Sequence, residues 1–375
     1  MGAGGQKRQT DSFRGAGGVN VRQLAPSWGQ GALTKCGDLA KTANFTHMKE
    51  LLLLLAHYPY NESSREILSR MLSEIKDWEL FVKLVNDHGI IALAAYNIKE
   101  AGLEKMLPEK ALAVLENGQM QSIVRNAWLT ERWKEVNKIL NEAGIKHILL
   151  KGMALEHTIY ESKGLRQMTD NDILIKREEA IKAWELLQEK GFKINLQKSP
   201  LHRKIILEAS QHLPALYKEG YALEIHTRLF DEWDTGQKAY NEFFEKAEGF
   251  VIGDSSAYIL PKEIHIDYLV KHFKRHALSG EAQIRTFTDI KLLDPENPLE
   301  FPEEFIMFPN QRNKSNYKKA IYRENVWTVA PRHRLRFVAG DIFPSIAWMK
   351  NRYRCPGWKS IFYYPHRLGK LLWLI

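Results

Sequence analysis

Between residues 48 and 143 the apolar positions recur at helical spacing. Leu68, Leu72 and Ile75, then Leu80 and Leu84, stand among charged residues, while Gly89, Gly102 and Gly144 fall where helices should end. The pattern predicts an N-terminal helical domain. Its last element, roughly 109–141, carries Leu112, Val114, Leu115, Ile123, Trp128, Trp133, Val136 and Ile139 and is expected to lie beside a sheet. At Ile145 the period changes: 145–151 reads as a strand running into Gly152, and 153–160 as a helix. A second strand is expected over 171–176, followed by a charged amphipathic helix over 177–190 that stops at Gly191. Segments 212–218 and 221–228 flank Glu219-Gly220, a two-residue connection that reads as a β-hairpin. From Pro261 helical spacing returns, over 264–276 and 282–293. The resulting organisation is α+β, with a helical domain over 47–143, a sheet-bearing core over 144–260 and a helical, basic and aromatic region over 261–375.

Residues 1–46 break the pattern, with nine glycines in the first 37 and no apolar periodicity, so disorder is expected there. Met48, followed by Lys-Glu and an apolar run, reads as a natural start of translation, which makes the upstream segment a non-native extension on this reading. No run approaches the ~20 apolar residues that span a bilayer, and the leucines at 51–55 fall short of the ~7–15 residues of a signal-peptide core; a cytoplasmic location is expected. Cys36 and Cys355 lie far apart without a neighbouring Cys or His pattern, so neither a zinc site nor a disulfide framework is indicated.

Charge is unevenly spread. Residues 1–47 hold six Lys/Arg against two acids and residues 312–375 hold fourteen against two, so of the total of +9 the stretch 48–311 carries −7. An acidic middle is a poor match for tracking a phosphate backbone and favours a small-molecule, peptide or polysaccharide acceptor over nucleic acid.

The candidate chemistry sits on the strands. Asp170 and Asp172 are two residues apart, so strand alternation turns both carboxylates to one face, where they repel unless a divalent cation lies between them. Alone, such a pair also occurs in turns and in the metal clamps of glycosyltransferases. Glu224, in Leu223-Glu-Ile-His226, adds an acid to one face of a strand whose other face is aliphatic. Three acids on neighbouring strands are what two-metal phosphoryl transfer requires. Lys151-Gly152 stands between strand and helix, where backbone N–H groups and a lysine can meet a phosphate, and Arg166 either holds phosphate or pairs with Glu161 or Asp170. His226 shares Glu224's face and reads as a structural histidine before a ligand-binding one.

These residues also carry a resemblance. Leu150-Lys-Gly-Met-Ala-Leu155, Tyr160, Gly164-Leu-Arg166, Asp170-Asn-Asp-Ile-Leu-Ile175, Gly191-Phe192 and Leu223-Glu-Ile-His226 resemble the uncharacterised nucleotidyltransferase family of the DNA polymerase β superfamily, with similarity extending from about Met48 through Phe343-Pro-Ser345 to the end. The resemblance implies a polymerase β-like mixed sheet flanked by helices and two Mg²⁺ ions, with Mn²⁺ as a substitute. It implies transfer of a nucleoside monophosphate from NTP with release of pyrophosphate, in a bacterial setting, to an unknown acceptor. On it, Asp170, Asp172 and Glu224 are the metal ligands, and Lys151 and Gly152 bind the triphosphate. The chain departs from the wider superfamily in having Gly152-Met153 where Gly-Ser or Gly-Gly is usual, and in a longer gap to Asp170.

A metal-dependent glycosyltransferase, a catalytically silent binding or antitoxin-type module, and an enzyme modifying nucleic-acid ends are the competing readings. His272 and His276 have metal-ligand spacing without a third ligand and read as surface or packing residues. Arg285 and Asp289, four apart, read as an intrahelical ion pair. The basic tail with Trp327, Trp348, Trp358, Tyr363, Tyr364 and Trp373 reads as interdomain packing or as a peripheral contact with an anionic membrane or a charged polymer.

Overall fold

The computed structural model describes residues 44–374 except 162, 231–236, 328 and 330, so the expected disorder of 1–46 falls almost wholly outside the described residues. Helices α1 (Asn44–Leu55), α2 (Arg65–Ser73), α3 (Trp78–Asp87), α4 (Ile91–Glu100) and the long α5 (Glu109–Glu142) precede the sheet. Strand β1 (His147–Leu150), α6 (Lys151–Thr158), β2 (Asn171–Ile175), α7 (Arg177–Glu189), β3 (Lys193–Ile194), α8 (Pro200–Ala209), β4 (Leu216–Lys218) and β5 (Tyr221–His226) follow. Next come α9 (Gln237–Glu245), β6 (Glu248–Ile252), β7 (Ser255–Ile259), α10 (Lys262–Leu278) and α11 (Ile284–Leu293). The chain closes with α12 (Ser315–Trp327), α13 (Pro331–Ile342), α14 (Ile346–Tyr353) and α15 (Tyr363–Leu374).

The strands form one mixed seven-stranded sheet in the order β3-β4-β5-β2-β1-β7-β6. Its centre holds β2, antiparallel to β1 and parallel to β5. Alternation assigns the faces. Leu149, Ile173, Ile175, Leu223 and Ile225 point into a core shared with Leu129, Trp133, Val136 and Leu140 of α5 and with Trp184 and Leu187 of α7. The opposite face turns Ile148, Leu150 and Leu174 toward Leu260 and Tyr268. A third core joins the N-terminal helices to Leu155 and Tyr160, to α10 and α11, and to Phe301 and Phe305.

Three local differences from the sequence reading have physical causes. The expected strand 212–218 is interrupted: His212 bridges His226, but the regular ladder starts at Leu216, because Pro214 has no N–H to offer and its carbonyl instead accepts from Trp184 Nε1. Helix α6 begins at Lys151, two residues before the expected start, with Lys151 itself in the left-handed region at φ 45°. The β6–β7 hairpin was not anticipated, although Gly253-Asp254 between Phe250-Val-Ile252 and Ala257-Tyr-Ile259 is a two-residue turn signal. By contrast Glu219 and Gly220, at φ 49° and 85°, close the β4–β5 hairpin as expected, both in the left-handed conformation that a type I′ turn demands.

Candidate active site

Parallel pairing of β2 with β5 sets Asp172 beside Glu224 as direct register partners, and the next residue on the same face of β5 is His226. One ligand atom from each of Asp172, Glu224 and His226 falls within 4.8 Å of the others, a group able to hold a metal ion. Two carboxylate oxygens and an imidazole nitrogen are hard-to-borderline donors that suit Mg²⁺ or Mn²⁺, the imidazole tilting the set toward the transition metal. Asp170 stands just before β2, half-buried, with Thr169 Oγ1 donating to its Oδ1 at 3.0 Å. It lies outside the 4.8 Å group, so the three acids expected from sequence converge in part and His226 completes the cluster. That role for His226 was legible in its parity with Glu224 but ranked second to a structural one.

Lys151, the first residue of α6 just after β1, closes the site. Its Nζ donates to Asp172 Oδ1 at 2.7 Å, and His226 Nε2 approaches the same oxygen at 2.8 Å. Burial raises the Asp172 carboxyl, but the Lys151 ammonium and the His226 contact override it and hold the group well below the usual carboxylate range. Glu224 goes the other way: burial and the Asp172 charge push it up to about 7. Asp170 is also raised, by burial and then by Asp172. One strong anion flanked by two reluctant ones is what a cation-binding cluster looks like electrostatically. The left-handed backbone at Lys151 costs about 1–2 kcal/mol for a residue with a β-carbon, and it delivers the ammonium to this cluster.

Gly152 is a glycine for a packing reason. A β-carbon there would stand 2.6 Å from Arg166 Nη1 and 3.1 Å from Met168 Cγ and Sδ, so the space above it belongs to the chain's own side chains. Arg166 differs from both sequence expectations. It is buried, and its Nε and Nη2 fork onto Asp289 at 2.7–3.1 Å, while Tyr160 Oη donates to the same carboxylate at 3.0 Å. Neither Glu161 nor Asp170 is its partner; Nε and Nη2 are taken by Asp289 and position the loop, while Nη1 lies beside Gly152. The expected Arg285–Asp289 pair gives way to this long-range one. Arg285 instead donates to the Gln167 carbonyl at 2.7 Å, Arg125 to the Thr169 carbonyl at 2.9 Å and Asn126 to the Arg166 carbonyl at 2.9 Å. Residues 166–169, which lead into Asp170, are therefore held by three side chains from two helices, α5 and α11, and no local sequence pattern marks Arg125 or Asn126 for this task.

Around the cluster stand Tyr268, whose ring lies 6.0 Å from Lys151 Nζ, and His212, 5.7 Å from His226 ring to ring. His272 packs 6.0 Å from Tyr268 and 4.3 Å from His276, consistent with packing residues, and neither histidine belongs to a metal-binding group among the described residues.

No helix among the described residues is long and apolar enough to cross a membrane. No curated protein and no solved structure matches the chain significantly. A family model described as uncharacterised nucleotidyltransferase does match, over residues 74–301, more than half of the chain and every residue of the cluster above. On that match, and with an α+β mixed sheet consistent with such a fold, the chain belongs to the uncharacterised nucleotidyltransferase family.

Proposed function

We propose that the protein is a divalent-metal-dependent nucleotidyltransferase with a polymerase β-like core, transferring a nucleoside monophosphate from NTP to an acceptor hydroxyl. The carrying observation is the register of β2 on β5, which sets Asp172 beside Glu224, with His226 completing the group within 4.8 Å and Asp170 two residues upstream. In this reading Asp172, Glu224 and His226 hold one ion, and Asp170 with Asp172 the second. Bound divalent ions supply neutralisation of the triphosphate and a lowered pKa at the acceptor oxygen. The protein's residues do the rest by placement. Asp172 orders the cluster, because its deprotonated state is secured by Lys151. The Lys151 ammonium, held beside the carboxylates, supplies a point charge for a phosphate oxygen, and the start of α6 offers the backbone N–H groups of a helix N-terminus. The acceptor oxygen forms a bond to the α-phosphorus, the bond to the β-phosphate bridging oxygen breaks, and pyrophosphate leaves with the electron pair. The acceptor proton passes to Glu224 or to solvent. The acidic stretch 48–311 favours a small molecule, peptide or polysaccharide as acceptor over nucleic acid.

The test is incubation of the purified protein with each NTP labelled at the α-phosphate, with Mg²⁺ or Mn²⁺, against a lysate separated into protein, RNA, polysaccharide and small molecules. Label should enter one fraction and vanish with Asp172→Asn and with Glu224→Gln. No label in any fraction, with no metal-dependent NTP binding by calorimetry, would instead make the protein a silent binding module on this fold.

A further inference from the structure

The C-terminal helices hold a surface that nucleotidyl transfer does not use. Residues 331–374 contain nine Lys/Arg and one acid, Asp341, which is already paired with Lys198. The segment is fixed to the core. His202 of α8 stacks on Phe337 at 4.9 Å, its Nε2 meets the Phe337 carbonyl at 2.9 Å, and Ser345 N donates to the Lys198 carbonyl at 2.9 Å. Within it, Arg367 lies 4.8 Å over the Trp348 ring and Tyr364 Oη donates to the Pro344 carbonyl at 2.9 Å.

On this anchored frame the large apolar side chains point outward. A short 3₁₀ turn, Gly357–Phe362, leaves Trp358, Ile361 and Phe362 at 65%, 60% and 73% exposure, and their i, i+3, i+4 spacing puts them side by side. Phe343 and Ile346, at 62% and 57%, sit at the neighbouring corner, which the Phe343–Tyr364 contact at 6.2 Å brings toward that turn. Exposed Arg352 and Arg354 stand at the end of α14, just before the turn, and exposed Lys359 lies within it, its Nζ 5.3 Å over the Trp358 ring. A soluble surface gains nothing from five such side chains in water.

We propose that this face docks on an anionic phospholipid bilayer, inserting Trp358, Ile361 and Phe362 at headgroup depth while Arg352, Arg354 and Lys359 meet the lipid phosphates. The charge sign selects an anionic partner. The mixture of aliphatic and aromatic tips selects a bilayer, because a single-stranded nucleic acid uses flat rings for stacking and has no use for protruding isoleucines. The surface lies outside the 74–301 family match and stands independently of the reaction assigned to the core.

The experiment is co-sedimentation of the full-length protein with vesicles of phosphatidylcholine alone and with added phosphatidylglycerol, at low and high salt. Binding should require phosphatidylglycerol, weaken with salt and fall roughly fivefold for each charge removed in Arg352→Gln and Lys359→Gln. Ile361→Ser/Phe362→Ser should abolish sedimentation while leaving the far-ultraviolet spectrum and melting temperature unchanged, as expected of exposed positions. Equal binding to neutral vesicles, or none to either, would overturn the proposal. So would a parent protein that is dimeric by light scattering and becomes monomeric in the double serine variant, or one that binds an oligonucleotide equally well with or without those serines.

Discussion

Two buried ion pairs flank the loop that enters β2, and they are built from different cations. Arg166 and Asp289 make a forked pair whose carboxylate has no exposure and a further bond from Tyr160. Lys151 and Asp172 make a single contact on an oxygen that His226 also approaches, and the Lys151 side chain retains 15% exposure. A planar guanidinium forked onto a buried carboxylate through Nε and Nη2 is a fastening. A compact ammonium on a flexible stem can leave one anion for another. The first pair holds the loop, and the second marks where charge is exchanged.

Asp289→Asn should have the largest effect, because it leaves a buried guanidinium short of its counter-charge: unfolding free energy should drop by about 3–5 kcal/mol in urea melts. A loss below about 1 kcal/mol would remove the distinction between the pairs. Asp172→Asn should do the reverse, lowering nucleotidyl transfer by more than about a hundredfold, beyond the 10–100-fold typical of outer-sphere partners, with a smaller change in melting temperature. Acid should also strain the fastening. His265 is buried, its Nε2 lacks a hydrogen-bond partner, and burial followed by the nearby Arg166 charge pushes it down to about 4 from 6.5. The unfolded chain therefore binds the extra proton between those values, so stability is full above pH 6.5 and declines toward pH 4 by up to about 3 kcal/mol. Melts of His265→Gln across that range should be flatter than those of the parent, and parallel curves would sink the assignment. Gly152→Ala should cost about 1–3 kcal/mol by forcing Arg166 and Met168 aside, and Met168→Ala should recover part of it, measured as a double-mutant cycle.

What could be read from the sequence follows the range of the interaction. Alternation puts Glu224 and His226 on one face of β5 and the Glu219-Gly220 turn identifies a hairpin, since both depend on neighbours in the chain. The ion-pair partner of Arg166 is not legible because it lies 123 residues away, and helical spacing offers Arg285 as a nearer mate for Asp289. Lys151 stands out in the sequence by its place before a glycine, but its left-handed backbone and its contact with Asp172 depend on how β1 sits against β2. The place of His226 in the cluster is not fixed by its parity with Glu224 alone, because a histidine on a strand says little until the register with β2 is known.

The β4–β5 turn has a consequence for how this chain can vary. With only Glu219 and Gly220 between Lys218 and Tyr221, the hairpin admits no slack. A single inserted residue would oblige one of the two strands to show its other face, exchanging Leu216 for Tyr217 in the core or turning Glu224 and His226 away from Asp172. The turn thus acts as a spacer of fixed length, and descendants of this sequence should tolerate substitutions there far more readily than insertions or deletions.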